Sequence, residues 1–432
     1  MTVTTTEAPK WTIAQKLAFR FLMLFFILFV LLEPNGVIPF YDGIYNLFSD
    51  AVMQKFIIWA AKHILHLAKP VTIVPTGSGD TTYDYLMVLF IAITSFAGML
   101  VWSAFDWKRG HYNKLLYWLT VLVRYYLALT MIFYGSIKIV KLQFPESSPG
   151  RLLQPLGYFS PMGLEWNYMG FSAGMNYITG IAEFTCGLLL FFRRTTKLGA
   201  ILGLVVAGNI MAVNYCYDVP VKLLSTMLVV MSLFLLMKDA RRLVNFFLLN
   251  KEAPPANQRA YRFKARWKNI TLTVAKYLLV VYVAIGYLLG DIQAGAYSGD
   301  NAPKTPLYGI YNVQYFVRNH DTIAPLTTDT SRWSKLIVNN YTNNAQVKLM
   351  NDSMKYYFIK ADTIKQTIMM HLYIDTVHKY QFTYTRIKPN ILLLKGKWKT
   401  DSLHIALKKF DMKNFRLLNR GFHWITETPY NR

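Results

Sequence analysis

Three ionisable side chains stand inside long apolar runs: Arg124 and Lys138 in RYYLALTMIFYGSIKIVK, and Glu183 in TGIAEFTCGLLLFF. In hydrocarbon such groups are expensive, so they face a bundle interior, paired with one another or with a ligand. A helix turns about 100° and rises about 1.5 Å per residue, so Arg124, Ala128, Met131, Gly135 and Lys138 fall along one stripe. Arg124 lies about seven residues from the cytoplasmic end of its run, roughly 10 Å deep, and Glu183 about nine residues, roughly 13 Å deep. Matching depth predicts an Arg124–Glu183 ion pair, with Asn209 of a later run as a hydrogen-bond partner near the same level. Lys138, about four residues from the outer end, is expected to snorkel to the surface. Such a pair locks two helices or holds a ligand, and the residues alone leave both readings open.

A second polar group, Asn214, Tyr217, Asp218 and Lys222 in NYCYDVPVKLLS, marks the outer junction of two runs. Asp218 is expected to cap the second of them, with Pro220 in its first turn. No metal site is expected: His63 and His66 are three residues apart but have no third ligand, and no histidine lies within a span to hold a haem. There is no phosphate-binding glycine loop and no Cys–His nucleophile pair. The two cysteines, Cys186 and Cys216, form no CxxC, which excludes a disulfide framework.

The elements that must position these residues are membrane spans. Crossing hydrocarbon takes about 20 residues of helix, and roughly seven apolar segments qualify: 17–33, 85–105, 116–142, 174–192, 197–217, 219–238 and 271–290. The start, MTVTTTEAPKWTIAQK, is polar and LLEPNG offers no small-residue cleavage site, so the first run is taken as a retained span. The 432-residue chain carries 47 basic and 23 acidic residues, a net charge of +24. Basic clusters recur at alternate loops (Lys108 to Lys114, Arg193 to Lys197, Lys238 to Arg242, Arg262 to Lys268), which places the N-terminus in the cytoplasm and the region after the last span outside. Basic runs beside a membrane set orientation, and nucleic acid is not an expected partner.

Residues 34–84 are expected to form an outer loop with an interfacial helix, Phe48, Val52, Phe56 and Trp59 recurring at threes and fours. Thr81 or Thr82 then caps the next span. FPESSPGRLLQPLGYFSPMGLEWNYMG is expected to fold over the bundle's outer mouth, with Tyr158, Trp166 and Tyr168 at the interface. Residues 251–270 make a basic cytoplasmic linker. Within 292–432 come short β-branched or aromatic segments: YNVQYFV, KLIVNNY, AQVKLM, MKYYFIK, YQFTYTR, NILLLKG, LHIALKKF and FRLLN. Such spacing predicts an antiparallel barrel or sandwich, here an exported, basic β domain whose charge either faces anionic lipid headgroups or an acidic partner or merely keeps it soluble.

RYYLALTMIFYGSIKIVK followed by ITGIAEFTCGLLLFFRRTTKLGAILGLVVAGNIM resembles the DoxX family of small membrane proteins. Arg124, Gly135, Lys138, Glu183, Gly187, Arg194 and Lys197 match its pattern, and Leu188 replaces the second glycine of its usual pair. Longer bacterial DoxX-like proteins are similar in the TGSGDTTYDY segment, the C-terminal β domain and the ending NRGFHWITETPYNR. The resemblance implies a four-helix core at about 116–238, a bacterial cytoplasmic membrane, and an accessory, quinone-associated role in a membrane oxidoreductase system. Redox partner proteins and a homo-oligomer go with that role, and no redox cofactor of the chain's own is evident. The β domain is similar to a lipocalin-like barrel, with Tyr308, Trp333, Phe422 and Trp424 as its conspicuous aromatics. The alternative function is therefore a non-enzymatic envelope protein that binds a lipid or apolar ligand in that barrel. The first reading requires an apolar cleft reaching Arg124 and Glu183; the second requires a deep cavity in the β domain. Transport is disfavoured by the lack of an inverted repeat.

Overall fold

The computed structural model describes residues 10–71, 73, 76–252, 262–340 and 343–431. The expectations for the polar start before Lys10 and for 253–261 of the linker lie outside the described residues. The chain divides into two compact units, one of residues up to 144 with 161–292, the other of 145–160 with 293–432.

In the first unit every expected apolar segment is helical. The helices are α1 (Ile13–Leu32), α2 (Asp42–Phe48), α3 (Gln54–His63), α4 (Thr82–Phe105) and α5 (Asn113–Ile139). After a short α6 (Pro149–Leu152), which belongs to the second unit, come α7 (Pro161–Phe171), α8 (Ala173–Phe191), α9 (Thr196–Cys216), α10 (Lys222–Met237) and α11 (Ala240–Phe247). The last long helix is α12 (Arg266–Val281), which continues through a π-helical turn, Tyr282–Gly286, into α13 (Tyr287–Ser298). Five described helices are long and apolar enough to cross a membrane, or six if α10 and α11, bent by 82°, count as one. The seventh expected segment, α8, carries Asn176 and Glu183 among its apolar residues and is not one of them.

Helices α5, α8, α9 and α10 pack in a ring, each against the next and α10 back against α5, while α1 packs on α4 and α5. Leu127, Ile132, Leu190, Ala207 and Met231 fill the interior. The α5–α8 contact is closest because glycines meet there. A Cβ at Gly135 would lie 2.6 Å from the Phe184 amide nitrogen, and one at Gly187 2.7 Å from the Ala128 carbonyl oxygen. Small residues let two backbones touch. In the 34–84 region, α2, a π-helical turn (Ser49–Met53) and α3 form the expected helix. Met53, Ile57 and Ala61 face the protein, whereas Phe48, Val52, Phe56 and Trp59 stand exposed. Thr81 caps α4 in a capping box with Asp84.

The second unit holds β1 (Gly309–Arg318), β2 (Asp321–Thr322), β3 (Trp333–Val338), β4 (Asn344–Leu349), β5 (Met354–Asp362), β6 (Thr367–Leu372), β7 (Asp375–Lys388), β8 (Ile391–Trp398) and β9 (Asp401–Phe410). Pairing is antiparallel throughout, and β9 returns to β1, with Ile310 opposite Phe410 and Arg318 opposite Leu403. With β2 a short ribbon beside β1, this is a closed eight-stranded antiparallel barrel; closure leaves no free edge. Alternate residues point inward, such as Ala345, Val347 and Leu349 on β4 and Tyr380, Phe382 and Tyr384 on β7. Leu336, Val347, Phe382 and Leu394 are 0% exposed, so side chains fill the space around them. Trp398 stacks on Tyr380 at 4.0 Å and meets Trp333 edge-on at 5.6 Å.

Four expectations for this region need correction. FRLLN forms a helical turn, α14 (Arg416–Asn419), and an unforeseen strand, β6, lies in TIMMHL. Trp333 is core, but Phe422 and Trp424 are exposed, because they follow the last strand and line nothing. The long outer loop is divided: only its second half, as α7, belongs with the helices. Its first half belongs with the strands, where the Gly150 amide donates to Asn339 Oδ1 (3.3 Å) and the Glu146 amide to Asp300 Oδ1 (2.8 Å).

Candidate functional site

The expected Arg124–Glu183 pair does not form. Lys138 Nζ donates to Glu183 Oε1 at 2.5 Å, with both side chains buried. The glycines explain the choice. They set an antiparallel register in which Gly135 meets Gly180 and Phe184, and Ala128 and Ile132 meet Gly187. Extending that register carries Arg124 past Glu183 to the end of α8, where its Nη1 is 3.4 Å from Thr196 Oγ1. Counting depth from run ends assumes flush helices, but α5 has 27 residues and α8 has 19. Lys138 therefore does not snorkel outward; it turns into the α5–α8 contact.

A second carboxyl lies within the field of Lys138, and an amide is buried at the start of α8. Glu165 on α7 is buried, and its Oε2 has no hydrogen-bond partner. Burial lifts its carboxyl to about 7, and the nearby Lys138 ammonium opposes that rise. Asn176, at the start of α8, donates to the Met169 and Ser172 carbonyls (2.7 and 3.0 Å) and leaves its Oδ1 unpartnered. Glu183 Oε2 is likewise unpartnered. Elsewhere on α5, Ser136 Oγ donates to Asp291 Oδ2 of α13 at 2.5 Å. A buried acceptor without a donor is costly, so these oxygens suit a proton or an incoming O–H or N–H group.

The other expected residues fall outside this site. Asn209 is exposed on α9. Asn214 Nδ2 donates to the Val221 carbonyl (3.1 Å), and Tyr217 ends α9, partly exposed. Asp218 does not cap α10. Its φ of +53° belongs to a left-handed turn, and its carboxylate meets Lys222 Nζ at 2.8 Å. The cap comes from Asp80, whose oxygens accept the Lys222 and Leu223 amides (2.7 and 3.0 Å), while the Gly79 amide binds the Pro220 carbonyl (2.9 Å). Sequence reasoning missed Glu165, Asn176, Asp291 and Asp80. For Glu165 a signal existed: it is the sole acidic residue between Glu146 and Glu183, set among glycines and aromatics.

Comparison with known proteins adds one relative. Over 124 residues, 29% of this chain and 79% of the other, the sequence is 35% identical to the uncharacterized protein YwoB of Bacillus subtilis (strain 168). The chain belongs to the family of that protein. No family profile and no solved structure matches it.

Proposed function

We propose that this member of the YwoB family is an integral membrane protein of the bacterial cytoplasmic membrane, with a DoxX-like four-helix core and an exported barrel, and that it serves a membrane oxidoreductase system by holding a quinone head group. Membrane insertion is supported by apolar side chains that stay exposed along the long helices, among them Leu89, Ile93, Phe96 and Leu100 on α4 and Leu272, Val274 and Leu278 on α12. Apolar exposure on that scale is foreign to soluble proteins. The quinone reading rests on one observation: a buried ammonium, Lys138, beside carboxylate oxygens of Glu183 and Glu165 that lack donors.

That donor set fits the polar edge of a quinone ring. Lys138 has N–H donors for a carbonyl oxygen, and the two glutamates accept from the hydroxyls of the reduced form. The bound quinone would supply the electron-carrying chemistry. The chain's own residues would position the ring and hold or release a proton at Glu165. Glu183 is 1% exposed, so head-group binding requires the contact of α5 with α8 to open. The alternative, an apolar ligand inside the barrel, is less well supported, since its interior is occupied by side chains.

Native mass spectrometry with lipid extraction tests the reading on the full chain, wild type beside Glu183→Gln and Lys138→Met. Quinone carried by the wild type and lost from folded variants supports it; a wild type without quinone overturns it.

A further inference from the structure

Arg124 is 6% exposed, and its Nε has no acceptor. Besides the Thr196 hydroxyl, its guanidinium meets the face of Tyr125, 5.3 Å from the ring centroid. Its strongest charged neighbour is a cation. Arg193, exposed in the turn between α8 and α9, acts on Arg124, and both arginines act on Lys276 of α12. Lys276 Nζ lies 5.0 Å from the Phe192 ring, which anchors it to that same turn. The strongest electrostatic neighbours of Arg124 and Lys276 are tyrosines and one another's cations, with no carboxylate among them. Asp239 is already engaged by Lys197 (2.7 Å) and Arg242 (3.3 Å). Three cations from three elements, one of them deeply buried, repel one another unless an anion sits between them. Helix α9 also begins at this turn with no side-chain cap on Thr195, whose hydroxyl donates to the Leu189 and Phe192 carbonyls instead. An uncapped helix start favours the same kind of ligand.

We propose that Arg124, Arg193 and Lys276 bind a phosphate group, either free phosphate or the head of an anionic lipid. A guanidinium with an open N–H edge suits phosphate in two-point contact. The lipid source rests on the membrane reading above; the anion site does not.

The test uses the purified full chain, wild type beside Arg193→Ala, Lys276→Met and Arg124→Gln. Native mass spectrometry counts retained phosphatidylglycerol against phosphatidylcholine. Thermal unfolding is followed with inorganic phosphate against chloride at matched ionic strength. Retention of phosphatidylglycerol that drops roughly tenfold in Arg193→Ala and Lys276→Met, as expected for loss of one charge-assisted contact, identifies a lipid phosphate. Stabilisation by inorganic phosphate that vanishes in the same variants identifies free phosphate. Neither effect differing between wild type and Arg193→Ala overturns the proposal; that side chain is exposed, so the variant folds even if Arg124→Gln does not. Failure of the membrane reading shows separately, as a protein soluble without detergent, and leaves the phosphate titration to decide.

Discussion

Two of the three cations of helix α5, Arg124 and Lys138, lie on one stripe and are equally buried, at 6% each, yet they are answered differently. Lys138 meets a carboxylate head-on, with a second glutamate close by. Arg124 meets a hydroxyl, an aromatic face and other cations. Burial and stripe are properties of one helix, so they follow from residue spacing alone. The partner is a property of two helices and their register, and that register is set by where glycines allow backbones to touch. One end of α5 is therefore electrostatically closed and the other is open.

The contrast breaks most readily at Glu183. Glu183→Ala leaves the Lys138 ammonium buried without its partner and should cost about 3–5 kcal/mol in denaturant unfolding in detergent. Lys138→Met combined with Glu183→Leu should restore most of that loss, because an apolar pair of similar volume replaces the ions. Arg124→Met removes no ion pair and should cost far less than Glu183→Ala. Equal losses would mean that the two ends do not differ in the way described.

The register behind the contrast is tested next. At Gly135 an added Cβ meets the backbone of Phe184, which cannot rotate away, so Gly135→Ala should destabilise by about 1–3 kcal/mol. At Gly208 nothing lies within 4 Å, and Ala there should stabilise by up to about 1 kcal/mol through helix propensity. The same unfolding measurement reads both variants, and opposite signs are expected.

How much of this was legible in the sequence follows the same division. Apolar length gave the helices, β-branched alternation gave most of the barrel, and the charges expected to pair between two runs pointed to the α5–α8 contact. Helix register was not legible, because nothing local says how far Asn113 extends beyond the end of α8. Nor was Asp80 as a cap, 142 residues from Lys222, since Asp218 offered a nearer and reasonable candidate. The strand in TIMMHL is not legible because its methionines carry little β signal. FRLLN reads apolar enough for a strand, but the barrel is already closed by β1 and β9, so it finds no neighbour to pair with.

Glu165 sharpens the closed end further. Its carboxyl titrates near 7 in the folded protein against a usual 4.5. The folded state thus holds the proton more tightly than the unfolded state, and unfolding releases it between those values. The contribution of this group to stability should fall as pH rises from about 4.5 to about 7 and be level on either side. Glu165→Gln should remove that contribution, leaving the slope due to Glu33, whose burial raises its carboxyl to about 8, and leave Lys138–Glu183 intact. The midpoint of thermal unfolding measured across this range decides it; an unchanged slope in the variant assigns the dependence to another group.

The smallest effect separates a real partner from an apparent one in a third place, the start of α10. Asp80 accepts two amides there, whereas Asp218 reaches a lysine side chain while 83% exposed. Losing a helix cap costs about 1 kcal/mol, and an exposed ion pair contributes little. Asp80→Ala should therefore lower stability by about 1 kcal/mol or slightly more, since Lys222 also loses a nearby charge, and Asp218→Ala should change it barely at all. Adding salt gives the finer discrimination. The backbone bonds to Asp80 are short and partly buried, so the difference between the two variants should persist when exposed charges are screened. If Asp218→Ala proved the more damaging, the partner nearest in sequence would be the one that matters at α10, and the distance argument drawn from α5 would not extend to it.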